Sequence, residues 1–84
     1  MVVIEDERHA ERVGEFPNRE EAMSELRRLA GVPWDHAPNA APCANSAHCG
    51  RSYEVVEYDT THTPWHELSR SLLLEISASG VNWL

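Results

Sequence analysis

The chain reads as an α+β domain: one amphipathic helix packed on a small, mainly antiparallel three-stranded sheet, in the order β-α-β-β with a long proline-rich loop. Three observations lead there. Apolar residues recur with helical spacing in one place only, residues 19–30. The second half is rich in β-branched and aromatic residues at strand spacing. Between the two, residues 31–50 carry three prolines and no period at all.

Taken in order, residues 1–10 read as a frayed arm, because the charged stretch 5–12 lacks a clean period. Glu11 to Phe16 is a short strand, with Val13 opposed to Gly14 and Phe16. Asn18 then caps a helix and Glu21 answers from the third position. Ala22, Met23, Leu26, Leu29 and Ala30 share one face of that helix. Glu20 and Glu21 in its first turn and Arg27 and Arg28 in its last match the macrodipole at both ends. Gly31 is expected to take the left-handed stop, and Pro33 prevents continuation.

Residues 31–50 follow as a long loop, shortened by a helical turn expected from about Pro42 to His48. Arg51 to Asp59 is a strand, with Tyr53, Val55 and Glu57 on one face and Glu54, Val56 and Tyr58 on the other. Residues 64–68 look like a capped helical turn with Pro64 in first position. Leu72, Leu74, Ile76 and Ala78 alternate with polar neighbours as a half-buried strand, which Val81 to Trp83 could extend beyond a turn at Gly80. With one helix to cover it, such a sheet keeps one face open. Val55 or Val56, a tyrosine and Trp83 are expected there, and an exposed apolar face invites a partner, most economically a second copy.

Composition excludes several functions. The 84 residues make one small domain with a thin core. Their formal charge of −7 has the wrong sign for nucleic acid or an anionic membrane. All seven basic residues are arginines, so a Schiff-base lysine, a phosphate-loop lysine and a lysine base are ruled out. No apolar run reaches the ~18 residues of a membrane span. The start of the chain lacks a secretory pattern, which places the protein in the cytoplasm and favours reduced cysteines.

Four residues carry a ligand-type pattern. Five residues separate Cys43 from Cys49, twelve separate Cys49 from His62, and three separate His62 from His66. Two thiolates and two imidazoles suit tetrahedral zinc, with His36 and His48 as alternative ligands. The cysteine spacing is too wide for a DNA-reading finger, and the twelve-residue segment reads as strand. The same two cysteines could form a loop disulfide, or serve a thiol-dependent enzyme or redox protein beside a histidine.

The aromatics point to contact. Trp34, Trp65 and Trp83, with Tyr53 and Tyr58, supply the large amphipathic rings that anchor interfaces. The same rings serve equally well to close the ends of a thin core. The reading that follows is a small acidic binding module, a homodimer or bound to another protein, more a non-enzyme than an enzyme, with no cofactor expected. A zinc-stapled domain is the alternative, and a thiol-dependent protein the third reading.

Overall fold

The computed structural model describes residues 1–40 and 50–84. Its elements are β1 (Val2–Asp6), β2 (Glu11–Phe16), α1 (Arg19–Ala30), β3 (Gly50–Asp59), β4 (His66–Ser77) and β5 (Gly80–Trp83). The fold is α+β as expected, but the sheet has five antiparallel strands, ordered β2-β1-β3-β4-β5, where three were expected.

The first of the two additional strands replaces the frayed arm. Val2, Val3 and Ile4 run between β2 and β3, and all three are buried. Val2 and Ile4 turn toward the helix, while Val3 faces Val56 on the opposite side of the sheet. A strand covered on both faces shows a continuous apolar run and no alternation, which is why its period was invisible. The second is β5, separated from β4 by a turn in which Gly80 takes a φ of 124°.

The helix forms as its local signals dictate. Asn18 is the N-cap, its side chain accepting the Glu21 amide at 2.9 Å. Ala22, Leu26 and Leu29 are fully buried against Ile4, Tyr53, Val55, Leu74 and Ile76. The C-terminus differs from expectation. Gly31 has right-handed φ and ψ of −90° and −4°, not a left-handed stop. The last turn is closed by the Gly31 and Val32 amides, which donate to the Arg28 and Leu29 carbonyls at 3.1 and 3.0 Å, and by Asn39, whose side-chain amide donates to the carbonyls of Leu29 and Val32 at 2.9 and 2.8 Å. A buried side chain ten residues downstream thus adds donors to the helix end and to the carbonyl just beyond it.

The expected helical turn at residues 64–68 is absent. Its backbone from His66 onward is committed to the ladder with Asp59, Tyr58 and Glu57, so β4 is twelve residues long. β4 also carries two extra residues relative to β3, at Leu68 and Leu73. The second bulge splits the anticipated alternation. Leu74 and Ile76 stay in the core, whereas Leu72 lies across from Glu54 on the far face and is 39% exposed. No helix among the described residues is long and apolar enough to cross a membrane.

Two substitutions test this packing. Leu26→Ala removes a fully buried side chain from the centre of α1 and should cost ~2–5 kcal/mol in a chemical denaturation series. A Cβ on Gly50 would collide with the Ile76 carbonyl and come within 2.9 Å of the Ser77 side chain. Gly50→Ala should therefore cost ~1–3 kcal/mol in the same experiment, and an unchanged midpoint would refute the close approach of β3 to β4 there.

Candidate functional site

Two regions concentrate polar and exposed chemistry, one at each end of β3. The first is buried. Asp6 ends β1 with no exposure and gathers four hydrogen bonds. One carboxylate oxygen accepts the backbone N–H of Arg8 and of Ser52, at 3.1 and 3.0 Å. The other accepts Arg51 Nη1 at 2.9 Å and lies 2.6 Å from His9 Nδ1. Burial alone would push the Asp6 carboxyl up, but the bonds from Arg51, the Ser52 amide and His9 outweigh it and hold the value below the usual carboxylate range. An ionised Asp6 only accepts, so the proton between it and His9 sits on Nδ1.

Arg51 extends this cluster. It also bonds Glu11 at 2.6 Å and the Ala40 carbonyl at 3.0 Å, while its Nε finds no acceptor among the described residues. Burial disfavours its charge, yet the bonds to Asp6 and Glu11 prevail and raise its value. Alongside, Tyr53 donates its hydroxyl to the Asn39 side-chain oxygen Oδ1 at 2.7 Å, and burial pushes its phenol up to about 12. These contacts pin residues 39 and 40 and the β1–β2 turn onto the start of β3.

The sheet face away from the helix is not the open apolar surface expected. Val55 lies in the helix-side core, and Val56 and Val3, paired across the ladder, are fully buried on the other side. Arg70 stands directly across from Val56 and reaches Glu5 on β1 at 3.1 Å, Glu54 on β3, and Glu67 on its own strand at 2.7 Å. A charged layer therefore spans three strands above the valines. Burial raises the Glu54 carboxyl and Arg70 opposes that rise. A cleft of about 240 Å³ beside this layer is lined by Glu5, Asp6, Glu7, Ala10, Glu54 and Arg70, five of them ionisable.

The second region is exposed. It comprises the tip of the β3–β4 hairpin and the first half of β4, where every residue from His66 to Arg70 is exposed. Leu68 is 65% exposed and Leu72 39%. Trp65 packs on Tyr58 with ring centroids 5.8 Å apart and remains 37% exposed. β3 pairs with the whole of β4, but β5 pairs only with Leu74–Ser77, with one further bond from Leu84 N–H to the Leu73 carbonyl. Among the described residues no strand covers the outer side of His66–Leu72.

The five aromatics expected to form one surface are dispersed. Tyr53 is fully buried and Trp34 half-buried against the core, so both belong to packing. Tyr58 and Trp65 meet at the hairpin tip. Trp83 lies across from Leu74, roughly 25 Å along the strand from Trp65. Of the four expected metal ligands, His62 and His66 stack with centroids 4.4 Å apart. Cys43 and Cys49 lie outside the described residues, as do His48 and the turn expected from Pro42. The histidine pair and Gly50 stand at opposite ends of β3. No group of three His, Cys, Asp or Glu residues stands ready for a metal ion among the described residues.

Sequence reasoning missed Leu68, Leu72 and the Asp6–Arg51 pair. The leucines resemble any core strand until the bulges redistribute them. Asp6 and Arg51, forty-five positions apart, leave no local signal. Comparison with protein families, characterised proteins and solved structures gives no match to this chain.

The Asp6 cluster has a pH signature. Its folded value is lowered, so its contribution is present above the unfolded value of about 3.9 and is lost as pH falls through the folded value. Stability of the unmodified chain should therefore decline below about pH 4, and Asp6→Asn should flatten that slope. At neutral pH the same substitution leaves Arg51 buried with Glu11 as its sole carboxylate, placing the cost near the lower end of ~3–5 kcal/mol. Urea titrations across pH 2.5–7, within about half a unit, measure both quantities; an unaltered slope would remove Asp6 from the acid response.

Proposed function

We propose that the chain is a protein-interaction module that associates through the outer edge of β4, and that its partner is a second copy of itself. The observation that carries this reading is the exposed edge His66–Leu72, paired with β3 on one side and with no described strand on the other. Unpaired edge N–H and C=O groups form a template for an added strand.

The other edges are less suited to this. β2 carries Glu11, Arg12 and Glu15 and is bulged at Val13. β5 is four residues long. The β4 segment instead presents Leu68 and Leu72, with Trp65 at its start, as apolar contacts beside the free backbone. Glu67 and Arg70 lie three positions apart on one face, so two such edges running antiparallel offer each other opposite charges. A two-fold arrangement satisfies both edges at once and closes on itself. This locates the contact on a strand edge, whereas the sequence alone pointed to an open sheet face.

Sedimentation velocity over a wide concentration range tests the reading. The expected result is a monomer–dimer equilibrium, weakened at least about tenfold, or about 1.4 kcal/mol, by Leu72→Lys with the melting midpoint unchanged. Hydrogen exchange should slow at the Arg70 and Leu72 amides, which point away from β3, as concentration rises. A chain that stays monomeric at millimolar concentration, with no change in exchange along β4, would overturn self-association.

A further inference from the structure

The hairpin between β3 and β4 brings three metal-ligand side chains to one exposed tip. Asp59 ends β3 and His66 begins β4, and the two are ladder partners, so their Cβ atoms are near neighbours on one face. His62 sits in the turn between them. Its imidazole lies parallel to that of His66, 11° from coplanar orientation and 4.4 Å between centroids. Its Nε2 is 3.6 Å from Asp59 Oδ2.

That last separation is informative. It is long for a hydrogen bond between a ring N–H and a carboxylate, which prefers about 2.7–3.2 Å. It is close to the distance between two ligands of a tetrahedral ion bound at ~2.0–2.1 Å, which geometry sets at about 3.4 Å. Asp59 is oriented for such a role. Its Oδ1 accepts both the amide and the hydroxyl of Thr61, at 2.9 and 2.6 Å, which leaves Oδ2 on the histidine side. Hydrogen-bonded support of a ligating carboxylate is a recurring feature of metal sites.

We propose that His62, His66 and Asp59 form a site for a borderline divalent transition ion such as Zn²⁺ or Ni²⁺, with solvent in the remaining position. The stacked rings do not yet converge, and binding requires the His66 imidazole to swing so that the two ring nitrogens close to about 3.4 Å. All three side chains are at the surface, so this movement disturbs no core packing. The ligand set is separate from the cysteines, and it shares with the β4 edge only His66, the first residue of that strand. Imidazole and carboxylate donors with an open position select zinc and nickel over magnesium or calcium, which favour all-oxygen shells.

The test uses the full chain carrying Cys43→Ser and Cys49→Ser, so that thiols cannot bind the probe metal. Zn²⁺ is titrated while the histidine ring resonances are followed by NMR. The expected result is saturation at one equivalent, with His62 and His66 shifting together while His9 and His36 stay put. His66→Ala should abolish the response, and Asp59→Asn should weaken it about tenfold or more, with melting midpoints preserved in the absence of metal. Equal small shifts at all histidines, an undiminished response in His66→Ala, or no response at millimolar Zn²⁺ would each overturn the site.

Discussion

The contact on which the rest of the structure depends is the buried pair Asp6–Arg51. It joins the last residue of β1 to the second residue of β3, forty-five positions on, and adds Glu11 from β2. An isolated charge in such a place would be prohibitively costly, so the cluster exists only because every carboxylate oxygen of Asp6 finds donors. Through the Ala40 carbonyl it also holds the segment that carries Asn39. Asn39 then closes the end of α1 and receives Tyr53. One connected set of hydrogen bonds therefore fixes the helix end, the β1–β2 turn and the start of the central strand relative to each other. Being satisfied almost throughout, it contributes a single arrangement more than a large net stability.

The remainder of the domain is shaped by how far cover extends. α1 packs across β1 to β4, and beneath it Ile4, Tyr53, Val55, Leu74 and Ile76 are dry. On the opposite face no second layer is described, and the Arg70 layer with Glu5, Glu54 and Glu67 covers the Val3–Val56 pair instead. Long side chains with aliphatic stems can do this at modest cost because their heads remain in water. Toward the hairpin tip both kinds of cover end, and side chains from His66 to Arg70 are exposed.

This gradient separates the parts of the molecule that hold shape from those proposed to meet other molecules. The polar cluster and helix bury one end of β3 and tie it to its neighbours. The other end presents a free strand edge, the Tyr58–Trp65 pair and the two stacked histidines. Sites gain precision when they are carried on regular elements supported elsewhere, and a long hairpin anchored at its base provides that arrangement.

The sequence by itself determined the helix and the α+β class. Asn18, Glu21, the apolar stripe and the charges at each end act within four residues of one another, and such short-range terms are readable without knowing the fold. The strand at Glu11–Phe16 and the one ending at Asp59 were legible for a related reason, in their residue types. Of the expected site residues, His62 and His66 were found near each other, and Tyr58 with Trp65. Tertiary structure decided the rest. It made a central strand of Val2–Asp6, drew residues 66–69 into the ladder, and placed Tyr53 in the core. It also set Leu68 and Leu72 outside, through bulges that depend on the partner strand. Pairing of β1 with β3 joins residues about fifty positions apart, and a side chain's face depends on the register with its partner strand, so neither is encoded in a local window.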